Sequence, residues 1–192
     1  SVMNGFKTDL TKKILGLNPH IVIQPNSFII DDKYISKLKN KFSDIKISKS
    51  FSGEGIIINN DNAKGVIFKG INKNENMSIE FLNKYLTSGN VQTFSTNQVF
   101  IGTELAYNLN LKEGDKINLM SSAFVATPLG SLPKQESFIV AGTFTTGFLE
   151  FDQNIIFLEI KDALSIFDKE ENDQNIEIYL EDPLKANLLK KK

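Results

Sequence analysis

Ser121-Ser122-Ala123-Phe124-Val125-Ala126-Thr127-Pro128-Leu129-Gly130-Ser131-Leu132-Pro133-Lys134-Gln135-Glu136-Ser137 is the stretch on which the reading of this chain turns. It separates two runs with strand character, Lys116-Ile117-Asn118-Leu119-Met120 and Phe138-Ile139-Val140-Ala141-Gly142-Thr143-Phe144. At 17 residues it is far longer than the two to five of an ordinary hairpin loop. Pro128 and Pro133 cannot donate to a strand ladder, so the segment from Thr127 to Pro133 is expected to be irregular or extended. Phe124, Val125, Leu129 and Leu132 are too apolar for a loop that only has to stay wet. Two readings stand: a protruding arm whose clustered apolar residues form a binding surface, or a loop folded back into the core.

Outward from this stretch the pattern alternates between helix and strand. Phe6, Leu10, Ile14 and Leu17 make one helical stripe that ends at Pro19. His20 to Gln24 suits a short buried strand. A second helix, capped by Asp31 or Asp32, buries Tyr34, Ile35, Leu38 and Phe42. Ile45–Ser50 and Gly55–Asn59 read as strands, with Asn60-Asp61-Asn62 turning into Gly65–Gly70. A helix near Ser78, with that serine as its cap, carries Ile79, Leu82, Tyr85 and Leu86. The strand Val99–Gly102 leads into a short helix at Thr103–Leu109. The last quarter gives strand 155–160, helix 162–167, strand 176–180 and a terminal helix opened by Asp182-Pro183. Two β-α-β-like ends around a β-rich middle predict an α+β fold, with seams near 62 and 147.

Composition removes several classes of function. Hydrophobic residues at 41% and charged residues at 23% belong to an ordinary globular chain of 192 residues. A net charge of −1 argues against a nucleic-acid surface, and every basic residue is lysine, so no guanidinium clamp for phosphate exists. Without cysteine there is no disulfide, thiolate or cysteine–metal chemistry. No stretch reaches the roughly 20 apolar residues of a membrane helix. The chain opens at Ser1 without an initiator Met and stops at Leu188-Leu189-Lys190-Lys191-Lys192, ends that read as cuts within a longer protein.

Several motifs together resemble the LolC/LolE family of lipoprotein-releasing transmembrane subunits. They are Ser1-Val2-Met3-Asn4-Gly5-Phe6 with Ile14-Leu15-Gly16-Leu17-Asn18-Pro19-His20, then Glu104-Leu105-Ala106 with Gly114-Asp115-Lys116-Ile117, and the proline-flanked Thr127–Gln135 segment. Gly142-Thr143-Phe144 and Glu181-Asp182-Pro183-Leu184 extend the likeness over nearly the whole chain. The proline-flanked piece resembles LolC, or a hybrid LolC/LolE subunit, more than other members. The resemblance implies a periplasmic domain between inner-membrane helices. Its porter-like subdomain (1–62 and 147–192) is interrupted by a smaller β-rich, Sabre-like subdomain (63–146) carrying a β-hairpin hook at about 121–137. It implies a LolD-like ATPase, a LolE-like or identical second permease subunit, lipoprotein substrates and a LolA-like periplasmic chaperone, with no cofactor and no enzymatic activity in this chain. The hook would contact the chaperone through Phe124, Val125, Ala126, Thr127, Pro128, Leu129, Gly130, Ser131, Leu132 and Pro133. A pad of Asn118, Gln135 and Glu136 would assist, although the family's basic pad residues are replaced here by Asn118 and Glu136.

The residues that could support chemistry read more simply as structure. His20 is the only histidine, so any triad or histidine metal site would have to be built on it alone. Asp31 and Asp32 suit a helix cap, and Asp168-Lys169-Glu170-Glu171-Asn172-Asp173 a solvated loop without the glycine and spacing of a calcium loop. Gly53-Glu54-Gly55 lacks the Gly-Lys-Ser/Thr of a phosphate loop, which leaves ATP hydrolysis to another chain. The rival expectations are a MacB- or FtsX-type extracytoplasmic domain, active in efflux or in cell-wall hydrolase activation, and a stand-alone hydrolase using surface carboxylates.

Overall fold

Where the sequence pattern suggested two short strands, the chain makes one of 15 residues, Ile45–Asn59. The computed structural model describes residues 21–24, 32–41 and 45–180. In chain order the elements are β1 (Ile21–Ile23), α1 (Asp32–Lys41), β2 (Ile45–Asn59), β3 (Asn62–Ile71), α2 (Asn76–Tyr85), β4 (Gln98–Gly102), α3 (Thr103–Asn108), β5 (Lys116–Thr127), β6 (Gly130–Phe144), α4 (Leu149–Asn154), β7 (Ile155–Glu159), α5 (Ile160–Ile166) and β8 (Asn175–Leu180). The expected helices at 6–17 and after Asp182, together with His20 and Asp31, lie outside the described residues. Ser78 does not open α2: the helix starts at Asn76, with Glu75 in the cap position and no side-chain cap bond.

The chain divides into two compact units, residues 1–50 with 171–192, and residues 51–170. In the first, β8 pairs antiparallel with β1 and with residues 45–50 of β2. Ile176, Ile178 and Leu180 alternate along β8 and share one face. Tyr34, Ile35 and Leu38 of α1 pack on that face beside Ile23, Ile45 and Ile47. The spacing of the helical stripe and the alternation of the strands thus meet in one apolar layer.

The second unit is a closed six-stranded barrel. Its staves run β2-β3-β7-β4-β6-β5, and β5 returns to β2 through the pairs from Gly55↔Ser121 to Ile58↔Asn118. Two of the pairings, β3 with β7 and β4 with β6, are parallel. Ile57, Phe68, Val99, Ile101, Ile117, Leu119, Phe138, Val140, Ile156 and Leu158 are all essentially inaccessible and belong to one core cluster, as side chains filling a small barrel should. Phe157, on the opposite face of β7, stacks with Phe81 and Phe144 at ring separations of 5.4 and 5.2 Å. β7 is therefore buried on both faces, which accounts for its unbroken apolar run.

Gly53 and Gly55 acquire a purpose in this barrel. A Cβ at Gly53 would stand 2.4 Å from the Phe167 ring, and one at Gly55 would stand 2.5 Å from the Met120 carbonyl and 2.6 Å from the Phe68 ring. The two positions are small because large rings occupy the space opposite them. The division between units falls at 50/51 and 170/171, whereas the pattern placed seams near 62 and 147. Residues 51–59 are a barrel stave, and β7 is the stave between β3 and β4, so both belong with the middle of the chain. Among the described residues no helix is long and apolar enough to cross a membrane.

Candidate partner-binding site

β5 and β6 continue past the barrel as a two-stranded arm. Their register runs from Lys116↔Ile139 to Thr127↔Gly130, so the loop is only Pro128-Leu129. Of the two expectations for Thr127–Pro133, irregular or extended, the extended one holds: both strands run through the segment up to the Pro128-Leu129 turn. Pro128 at the second and Gly130 at the fourth turn position is the pattern a type I turn favours, and Gly130 adopts φ +117°. Thr127 closes the turn through its hydroxyl, which donates to the Gly130 carbonyl at 2.7 Å and accepts from the Leu129 N–H at 3.3 Å.

Pro133 is tolerated because of register. Hydrogen-bonded and non-bonded pairs alternate outward from Thr127↔Gly130, which puts Phe124↔Pro133 at a non-bonded pair. The donor that proline lacks would have faced the free side of β6.

Paired residues share a face, so Phe124, Ala126, Ser131 and Pro133 line one side of the arm and Val125, Thr127, Gly130 and Leu132 the other. Both sides carry apolar groups open to solvent: Phe124 is 65% exposed, Leu132 52% and Val125 46%, with Leu129 at the tip 95% exposed. The alternative of a loop folded into the core does not occur. Tyr107, Phe148 and Leu149 are further exposed apolar side chains, away from the arm in sequence.

The three pad residues are not brought together. Asn118 pairs with Ser137, whose hydroxyl donates to the Asn118 side-chain oxygen at 2.8 Å, and Gln135 pairs with Met120 on the same outer face. Glu136 pairs with buried Leu119 and so occupies the opposite face, where Lys134 Nζ lies 3.8 Å from its carboxylate. An open depression of about 280 Å³ beside Asn118 is lined by Ile58, Asn59, Asn60, Lys116 and Ser137, smaller than most small-molecule sites.

The foot of the arm is an irregularity. Three residues, Ser121 to Ala123, stand between the pairs Met120↔Gln135 and Phe124↔Pro133, opposite Lys134 alone. Such a bulge bends a ribbon and increases its twist, re-aiming what lies beyond. Close by, Asp162 Oδ2 accepts the Asn97 N–H at 2.7 Å. Burial pushes its pKa up, the Asn97 bond opposes this, and the carboxylates of Glu159 and Glu136 add to the rise. Glu159 is buried, and its Oε2 has no hydrogen-bond partner. Among the described residues no group of three or more His, Asp or Glu is arranged to hold a metal.

What this surface offers is apolar area and strand edges rather than reacting groups. Sequence reasoning found the apolar residues from their composition. It missed the splitting of the pad, for which the sequence carries no local signal.

No family model matches the chain. It is 23% identical over 193 residues to the lipoprotein-releasing system transmembrane protein LolC of Neisseria meningitidis serogroup B, covering 98% of this chain and 46% of that protein. LolC of Xylella fastidiosa strain Temecula1 is 21% identical over 169 residues, 86% of this chain and 41% of the relative. An uncharacterised membrane protein of Buchnera aphidicola is 27% identical over 97% of this chain and 46% of its own length. The chain thus spans less than half the length of these curated relatives. Among solved structures it is similar to the extracellular domain of the noncanonic ABC-type transporter YknZ, with a TM-score of 0.55, 14% identity and coverage of 87% of this chain and 86% of that one. It is also similar to the periplasmic region of MacB from Actinobacillus actinomycetemcomitans, with a TM-score of 0.53, 14% identity and coverage of 88% and 78%. The chain is thus similar in sequence to LolC lipoprotein-releasing transmembrane proteins over nearly all of its length, and it has the α+β fold of the extracytoplasmic domains of MacB and YknZ.

Proposed function

We propose that this chain is the periplasmic domain of an inner-membrane ABC permease subunit that releases lipoproteins, and that the β5–β6 arm recruits a LolA-like periplasmic chaperone. The observation that carries this reading is the arm itself: a hairpin with apolar side chains on both faces and an almost fully exposed leucine at its tip. Soluble chains seldom keep such groups in water without a partner to cover them. Each side chain that becomes well buried on docking contributes about 1.5 to 3 kcal/mol before ordering costs. The unpaired strand edges of the arm add main-chain hydrogen-bonding capacity.

On this reading no covalent chemistry belongs to the chain. A LolD-like subunit hydrolyses ATP, and a LolE-like or identical permease subunit completes the membrane assembly. The first unit then corresponds to the porter-like part and the barrel with its arm to the Sabre-like part. Asn118 and Gln135 remain pad candidates on the outer face, and Glu136 contributes from the other side.

The test compares the chain with a version in which residues 123–134 are replaced by a short Gly-Ser turn, each titrated with the purified chaperone of the same organism. Binding by the first and not by a folded second supports recruitment by the arm. Equal binding, or none by either, defeats it, and a role of the MacB or FtsX type then takes precedence.

A further inference from the structure

Two polar side chains at the foot of the arm make contacts that its own strand pairing does not require. Ser121 is buried; its hydroxyl donates to the Ile166 carbonyl at 2.5 Å and accepts the Ala123 N–H at 3.1 Å. From the other strand, Lys134 Nζ donates to the Ser165 carbonyl at 2.5 Å. Ser165 and Ile166 are in the last turn of α5, where the helix dipole favours a cation; the Ser165 carbonyl also accepts the Asp168 N–H at 3.0 Å. The next residue, Phe167, packs on Phe51 and Phe68 at ring separations of 5.4 and 5.5 Å and sits over Gly53, so this helix end is a fixed part of the barrel core. Each strand of the arm is therefore tied once to the same helix end, at the level of the bulge.

We propose that Ser121 and Lys134 are positioning residues: they lock the foot of the arm to the C-terminal end of α5 and so fix the direction in which Leu129 is presented. Their part in recognition rests on the recruiting reading above. Among the described residues the arm beyond Ala123 pairs only with itself, and a two-stranded ribbon is marginally stable alone. An arm already aimed gives up less orientational freedom when it docks, which raises affinity without a new contact.

The chain has no cysteine, so spin labels at Leu129→Cys and at the exposed Tyr107→Cys report one distance between arm tip and barrel. Double electron–electron resonance should give a narrow distribution in this background. It should broaden about twofold or more in Ser121→Ala/Lys134→Met once two such bonds are lost, and narrow again in Lys134→Arg, which retains a donor. Should the double variant fail to fold, Lys134→Met alone, at a partly exposed side chain, decides the matter. A distribution as narrow in Lys134→Met as in the parent overturns the proposal.

In unlabelled protein the double variant should bind the chaperone about tenfold more weakly. A broadened distribution with unchanged binding overturns the recognition role. If the parent does not bind the chaperone, the recruiting reading fails, while the distance distribution still decides whether the anchor exists.

Discussion

Gly53→Ala puts a methyl group where the Phe167 ring already sits. The added carbon would lie 2.4, 2.5 and 2.8 Å from Cζ, Cε1 and Cε2 of that ring, against the 3.4 Å at which ordinary contact begins. The ring must retreat by about 1 Å, and it is hemmed in by Phe51 and Phe68. Overpacking of this kind costs about 1 to 3 kcal/mol. Phe167→Leu withdraws the atoms that clash and loses about 1 to 2 kcal/mol of burial and packing when made alone. Combined with Gly53→Ala it should cost at least about 1 kcal/mol less than the two singles added together, because the clash is absent. Urea unfolding of the parent, both singles and the double, compared at equal m, measures this coupling. Additivity within about 0.5 kcal/mol, or a neutral Gly53→Ala, would refute the claim that these glycines exist to admit the rings.

Leu129→Glu should leave unfolding stability within about 0.5 kcal/mol, since the side chain is 95% exposed, while weakening chaperone binding by roughly 10- to 100-fold in a calorimetric titration. Equal binding would remove the tip from the interface. Asp152 accepts the Thr146 N–H and hydroxyl and the Gly147 N–H within a buried site, so Asp152→Ala should cost about 2 to 4 kcal/mol and speed amide exchange at residues 145–149; unchanged exchange there would reject the anchor. For Asp162 the folded pKa is raised, so its contribution to stability is present below the ordinary aspartate value and lost as pH rises through the raised one. Asp162→Asn should therefore gain melting temperature relative to the parent as pH rises across that range, and a constant difference would reject this sign.

The helices and strands were legible because each local period matches the burial it serves. Tyr34, Ile35 and Leu38 fall on one helical face, and Ile176, Ile178 and Leu180 on one strand face. The apolar residues of the arm were equally visible, since Phe124, Val125, Leu129 and Leu132 stand out in a segment that carries Pro128 and Pro133. Their exposure was not, because a sequence does not say whether an apolar run packs or protrudes. That was decided by the two-residue turn at Pro128-Leu129 and by a register that spares Pro133 its missing donor. Closure of β5 onto β2, the parallel pairings that bring β7 and β4 between distant strands, and the split of Asn118 and Gln135 from Glu136 also lay beyond the sequence. Local preference thus determined what each segment is, whereas contacts between residues far apart in the chain, Ser121 with Ile166 and Gly53 with Phe167 among them, determined where each segment points.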